Sequence, residues 1–229
     1  MDRSDPSDKS DRSDPSGRSD LSDKSDGALM KTVREESELF LIVGLGNPGG
    51  DYAGNRHNVG YAVAMEFSGR HGIVLRRKGK LRSRVGGGDV GGKKVIVALP
   101  TTFMNRSGEA VARLVSFYGA HPKNVLVVSD DINLPLGRLR IRSEGSAGGH
   151  KGLRSVIVCL GTMEFPRLRL GIGTGEAEAV TDFVLGDFTQ EEKAVMRAGV
   201  ERAAEAIKTI VKEGLESAMS EYNRVAESG

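Results

Sequence analysis

The chain has 229 residues, a formal net charge of +2, a single cysteine and no tryptophan. No run is long and apolar enough to suggest a membrane span, and a lone Cys159 excludes an intrachain disulfide or a cysteine-cluster metal site. Through Asp26 there are eight aspartates against five lysines or arginines, so the remainder carries +5, a balance that suits a phosphate-bearing partner.

Residues 1–27 repeat serine, aspartate and a basic residue, with too few apolar side chains to offset the entropy of ordering. The expectation is a disordered low-complexity tail over 1–36. It has neither the apolar core of a signal peptide nor the acid-poor composition of a transit sequence. Residues 37–229 then form a single α/β domain with a sizeable core. The cysteine count suits a reducing, cytoplasmic setting.

LFLIV (39–43) reads as a buried central strand. Behind it Gly44, Gly46 and Gly49 spell G-x-G-x-x-G, the dinucleotide fingerprint. Its context is missing. Turn formers fill 50–55, and Glu66 falls inside the next helix rather than at a strand end. Pro48 removes an N–H where phosphate donors are wanted. A nucleotide-dependent oxidoreductase is disfavoured, and a loop carrying Asn47 and His57 is the better account of these glycines.

A helix follows, with Asn58 as cap, Gly72 as stop and Val59, Val63 and Phe67 on its apolar stripe. A hairpin is expected with strands at 82–86 and 94–99 around a glycine-rich turn. The basic stretch RRKGKLRSR (76–84) before it reads as a solvated face. Ser107 caps a second helix that stops at Gly119, and 124–131 is another buried strand ending in two carboxylates. GRLRIRS alternates, with Leu139 and Ile141 inward and the arginines outward. A short helix follows His150, with Cys159 packed in it, and RLRLGIG is a further strand with alternating arginines. From Thr189 to Lys212 a long amphipathic helix turns Val195, Met196, Val200, Ala203 and Ile207 inward. The fold class is α/β, a mixed twisted sheet flanked by helices.

Asn47, His57, Asn105, Asp130 and His150 all lie in loops at strand or helix ends, where the crevice of an α/β sheet forms. A histidine oriented by an aspartate, with asparagine side chains supplying hydrogen bonds, suits general-base activation of water.

VGLGNPGGDYAGNRHNVG, PTTFMNRSGEAV, SDDINLPLG, GSAGGHKGL and PRLRLGIG, in this order, resemble bacterial-type peptidyl-tRNA hydrolase over nearly all of Leu39–Asn223. The resemblance implies metal- and cofactor-free hydrolysis of the ester joining a peptide to the terminal ribose of tRNA, by a cytoplasmic monomer. It makes His57 the base, Asp130 its orienting carboxylate, and Asn47 and Asn105 hydrogen-bonding partners of the substrate. Asp131 matches no catalytic position. Tyr52 and Met104 would line the crevice, with His150 and Lys151 beside them. Arg142 and Arg169 would hold the 5′ phosphate of the acceptor stem, and Arg138, Arg140, Lys151 and Arg154 would extend that face. One departure is plain: Lys151 stands where the family usually has asparagine, so it offers donors only. The alternative is a non-catalytic RNA-binding relative, since the family includes chloroplast splicing factors; the absence of a transit-like N-terminus counts against it.

Overall fold

Four largely buried segments pair side by side and parallel: β1 (Phe40–Gly44), β4 (Lys93–Pro100), β5 (Val125–Asp131) and β7 (Arg167–Gly171). In β1, Leu41 and Val43 enter one apolar cluster and Ile42 the other, as the two-residue period of a strand covered on both faces requires. Antiparallel strands close each side, β2 (Arg76–Lys78) and β3 (Ser83–Val90) beyond β4, and β6 (Leu139–Arg142) beyond β7. The order is β2-β3-β4-β1-β5-β7-β6. This computed structural model describes residues 39–173 and 180–224; the expected tail over 1–36 lies outside the described residues.

Helices cover both faces. α1 (Val59–Arg70), α5 (Gln190–Glu213) and α6 (Leu215–Tyr222) pack over the cluster that holds Ile42. α2 (Ser107–Tyr118) and α3 (Lys151–Leu160) pack over the cluster that holds Leu41 and Val43. From β1 the chain reaches β4 on one side and then crosses to β5 on the other. That reversal opens a crevice at the carboxyl ends of the central strands. Among the described residues no helix is long and apolar enough to cross a membrane.

The fingerprint glycines serve packing and turning. A side chain on Gly44 would run into the Gly60 carbonyl of α1, and Gly49 sits at φ 117°, in the region that favours glycine. Several local expectations need correcting. The hairpin strands run on through Gly86–Gly88 to Val90, because the turn needs only Gly91 and Gly92, both at positive φ. Asn58 precedes α1, but its side chain makes no capping bond; Ser107 is the first helical residue rather than the cap. Val195 is 46% exposed because the buried stripe of α5 runs through Met196, Gly199, Ala203, Ile207 and Ile210. Cys159 is exposed near the end of α3. The short β2, α6 and α4 (Val180–Leu185) were not anticipated.

Candidate active site

His57 lies on the 3-10 turn Arg56–Asn58 that leads into α1, and Asp130 is the last residue but one of β5. The imidazole Nδ1 is 2.8 Å from Asp130 Oδ1. His150, the N-cap of α3, places its Nε2 2.9 Å from the same oxygen. Its Nδ1 accepts the backbone N–H groups of Gly152 and Leu153, each at 3.1 Å. Those two bonds decide the tautomer. A nitrogen that accepts cannot carry the proton, so Nε2–H of His150 donates to Asp130.

Asp130 is 2% exposed. Burial alone would raise its pKa, but the His150 and His57 rings facing it prevail and hold it well below the usual carboxylate range. An ionised Asp130 fixes Nδ1–H on His57, which leaves the His57 Nε2 lone pair for a proton from outside. The three groups have spacing that a metal ion would accept. Their bonding does not suit one, since a metal on His150 Nε2 would have to displace the proton that the Nδ1 bonds place there.

Asn47 is fixed by three bonds. Its backbone N–H donates to Asn58 Oδ1 at 2.7 Å, and its carbonyl accepts from Asn58 Nδ2 at 3.0 Å. Its side-chain Oδ1 accepts the Met104 N–H at 2.8 Å. The amide is thereby oriented, and its NH₂ remains available to a substrate oxygen. Asn58, read as a helix cap, instead holds the Asn47 backbone.

Asn47, His57 and Asp130 line one cleft of about 450 Å³, with Asn105, His150, Lys151 and Arg169 around it and Phe103, Val184 and Leu185 as apolar rim. Met104, 4% exposed, lies on its floor. Tyr52 is not among the lining residues: its ring packs beside Gly49 on the turn Gly50–Tyr52. Nor does His150 have a ring nitrogen left for a ligand, since both are engaged; it orients Asp130 and offers only its ring, 4.9 Å from that of His57.

Arg142 lines a second cavity, also of about 450 Å³, with Ser143, Glu144, Arg167 and Arg169. Arg169 lines both cavities, so it stands on the wall between them. There its guanidinium pairs with Asp131 at 2.9 Å, which gives the second carboxylate of the DD pair a place in the site. Arg138 does not extend this face; it donates to the Asn223 carbonyl at 2.8 Å.

Two arginines with structural consequences were not anticipated. Arg167 is 1% exposed and donates to the carbonyls of Gly145, Ser146, Met163 and Phe165, bracketing the loop that leads to His150. Burial lowers its pKa to about 10, with Arg169 adding to the effect and Glu144 opposing it. Arg56 donates to the Asp187 carbonyl at 2.6 Å and to Glu192 at 2.7 Å, and its guanidinium lies over the Phe183 and Phe188 rings at 4.5 and 5.0 Å. It ties the corner bearing Val184 and Leu185 to the turn that carries His57.

A family profile described as Peptidyl-tRNA hydrolase matches residues 41–228. A peptidyl-tRNA hydrolase of Carboxydothermus hydrogenoformans is 46% identical over 186 residues, 81% of this chain and 99% of that protein. One of Chloroflexus aurantiacus is 46% identical over 188 residues, with 81% and 99% covered. The crystal structure of peptidyl-tRNA hydrolase from Acinetobacter baumannii superposes with a TM-score of 0.78 at 36% identity, covering 82% of this chain and 95% of that one.

Proposed function

Since the chain belongs to the peptidyl-tRNA hydrolase family, we propose that it cleaves the ester between a peptide, or an N-blocked aminoacyl group, and the terminal ribose of tRNA. The observation that carries this reading is the His57 imidazole, held through Nδ1 on a buried, ionised Asp130 and facing the cleft beside Asn47. The family match and the named relatives support the enzyme over a non-catalytic RNA-binding relative.

In the proposed reaction His57 Nε2 takes a proton from water as the oxygen attacks the ester carbonyl. The Asn47 NH₂, joined by Asn105, donates to the developing oxyanion. The intermediate collapses, and the ribose oxygen leaves with the proton from the imidazolium, giving a free carboxylic acid and a free tRNA. Asp130 stabilises the imidazolium between these steps. General-base assistance of this kind contributes roughly 10²–10⁴-fold, and amide polarisation of an oxyanion about 10²–10³-fold. A ribose hydroxyl is a far better leaving group than an amine, so no covalent intermediate is required.

Further parts of the proposal rest on the resemblance. Arg142 and Arg169 receive the 5′ phosphate, and Lys151, on the cleft wall, meets a phosphate or the ribose as a donor. Residues 37–229 are the working domain, acting as a cytoplasmic monomer without metal or cofactor. The test is incubation of the purified chain with N-blocked aminoacyl-tRNA in the presence of a chelator, following release of free tRNA. Release is the expected result. Intact substrate bound without turnover would show an RNA-binding protein instead.

A further inference from the structure

The basic stretch 76–84 has three features that a merely solvated face does not require. β2 is an outer edge of the sheet, and all three of its side chains, Arg76, Arg77 and Lys78, are exposed. A charge on an edge strand guards against pairing with another chain. Here, however, the register sets Arg77 directly opposite Arg84, also exposed. Like charges facing each other across strands are destabilising. A guard needs no such pair.

The second feature is the shortage of counter-charge. Among the described residues Arg76, Arg77, Lys78, Lys80 and Arg84 make no ion pair, and Arg82 shares the one carboxylate of Glu109 with Arg106. The third is position. The Thr101 N–H donates to the Arg82 carbonyl at 2.7 Å, and the residues just beyond, Phe103 to Asn105, line the cleft. The basic surface therefore runs outward from the β4 side of the cleft, while Arg142 and Arg169 lie on the β6 and β7 side.

We propose that the β2 edge, with Lys80 and Arg84, is a second contact for the phosphate backbone of the tRNA, separate from the cavity at Arg142 and Arg169. This rests on tRNA being the substrate, as argued above. Side chains alternate along a strand, so Arg76 and Lys78 project to one side of the edge and Arg77 to the other. Such an edge presents positive charge over a wide angle to a polyanion. Exposed cations without ion-pair partners among the described residues contribute attraction without reading sequence, which suits a substrate present as many tRNA species. The repulsion between Arg77 and Arg84 is relieved when a phosphate lies over them.

The test uses the full chain and deacylated tRNA. In the combined variant Arg76→Gln, Arg77→Gln, Lys78→Gln, tRNA affinity should fall about tenfold at low salt. The slope of log affinity against log salt should shrink by about 2, since each lost phosphate contact removes roughly 0.7–0.9. Turnover of a short 3′-terminal ester substrate should stay as in the parent, which also shows that the variant is folded. Arg77→Gln alone carries an opposite-sign signature: its Tm should rise, because the clash with Arg84 is gone, while tRNA affinity falls. Unchanged affinity and slope in the triple variant overturn the proposal, as does a stabilised Arg77→Gln that binds tRNA as before. A parent chain that binds no tRNA at all would instead overturn the functional reading itself.

Discussion

The His57–Asp130 corner and the basic flanks treat polar atoms in opposite ways. At the corner the bonding is closed: Asp130 Oδ1 accepts from two rings, both His150 nitrogens are engaged, and Asn47 is fixed at N–H, carbonyl and side-chain oxygen. On the flanks Arg142 is exposed and, among the described residues, makes no ion pair, like the arginines of β2. On the proposed mechanism the base must be placed to within a fraction of an ångström, and the closed bonding of the corner supplies that. On the same proposal the flanks meet a phosphate backbone, which needs charge over a broad area, and their exposed arginines present it. Substitutions at the corner should therefore act on kcat, and substitutions on the flanks on KM.

The largest expected effect is His57→Ala. Turnover of N-blocked aminoacyl-tRNA should fall by about 10²-fold or more, while Tm stays close to the parent because Asp130 keeps its bond to His150. Near-normal turnover in that variant would sink the mechanism.

Asp130→Asn comes next. It preserves shape but removes the charge that stabilises the imidazolium, so kcat should drop about 10²-fold or more with little change in KM. The same variant reports on acid stability. The folded-state pKa of Asp130 is depressed, so its stabilising contribution is fully present above the unfolded value of about 3.9 and is lost as pH falls through the folded value. The difference in denaturant midpoint between parent and variant should stay level from about pH 8 to 5.5 and narrow below about pH 4. A gap that narrowed near neutrality would assign the titration to another group.

How much of this corner the sequence discloses depends on the distance over which each interaction is made. The strands around Leu41–Val43 and Val125–Val128 are legible from their apolar runs. The place of Asp130 follows from the carboxyl end of the second run, inside β5, and that of His57 from the turn that leads into α1. The Asn58–Asn47 clamp is not legible, because an asparagine before a helix reads as a cap until its partner eleven residues away is known. Arg56 and Arg167 are hidden for the same reason. Whether an arginine is buried depends on carbonyls, carboxylates and rings that other segments bring to it, and for Arg56 the hydrogen-bond partners lie 131 and 136 residues away. Arg167 looks like one more outward arginine of an alternating strand, although it is among the most buried side chains of the protein.

On the flank, Arg142→Ala should raise KM for full-length substrate about tenfold and leave kcat nearly unchanged. A phosphate contact remote from the ester is made equally in ground and transition states. A substrate lacking the 5′ phosphate should be indifferent to the change. If kcat fell instead, Arg142 would belong with the corner, and the division between the two regions would fail.

Asp131→Asn should give the smallest effect, and it tests the wall where the two regions meet. Asp131 lies beside Asp130 in sequence, but its Oδ2 pairs with Arg169 at 2.9 Å and its Oδ1 accepts the Asn133 N–H at 2.9 Å. An ion pair within the free protein competes with any phosphate that Arg169 is to receive, because the carboxylate already satisfies part of the guanidinium. An asparagine keeps the oxygen for Asn133 and removes the charge facing Arg169. Deacylated tRNA should then bind a few-fold more tightly, and kcat for full-length substrate should fall modestly if release of tRNA limits turnover. Cleavage of a substrate without the 5′ phosphate should not change. Weaker tRNA binding in Asp131→Asn would mean that the carboxylate serves to hold Arg169 in its productive pose rather than to moderate its grip. Arg169 would then share the immobilised character of the corner, and only Arg142 and the β2 edge would remain as loose electrostatic contacts.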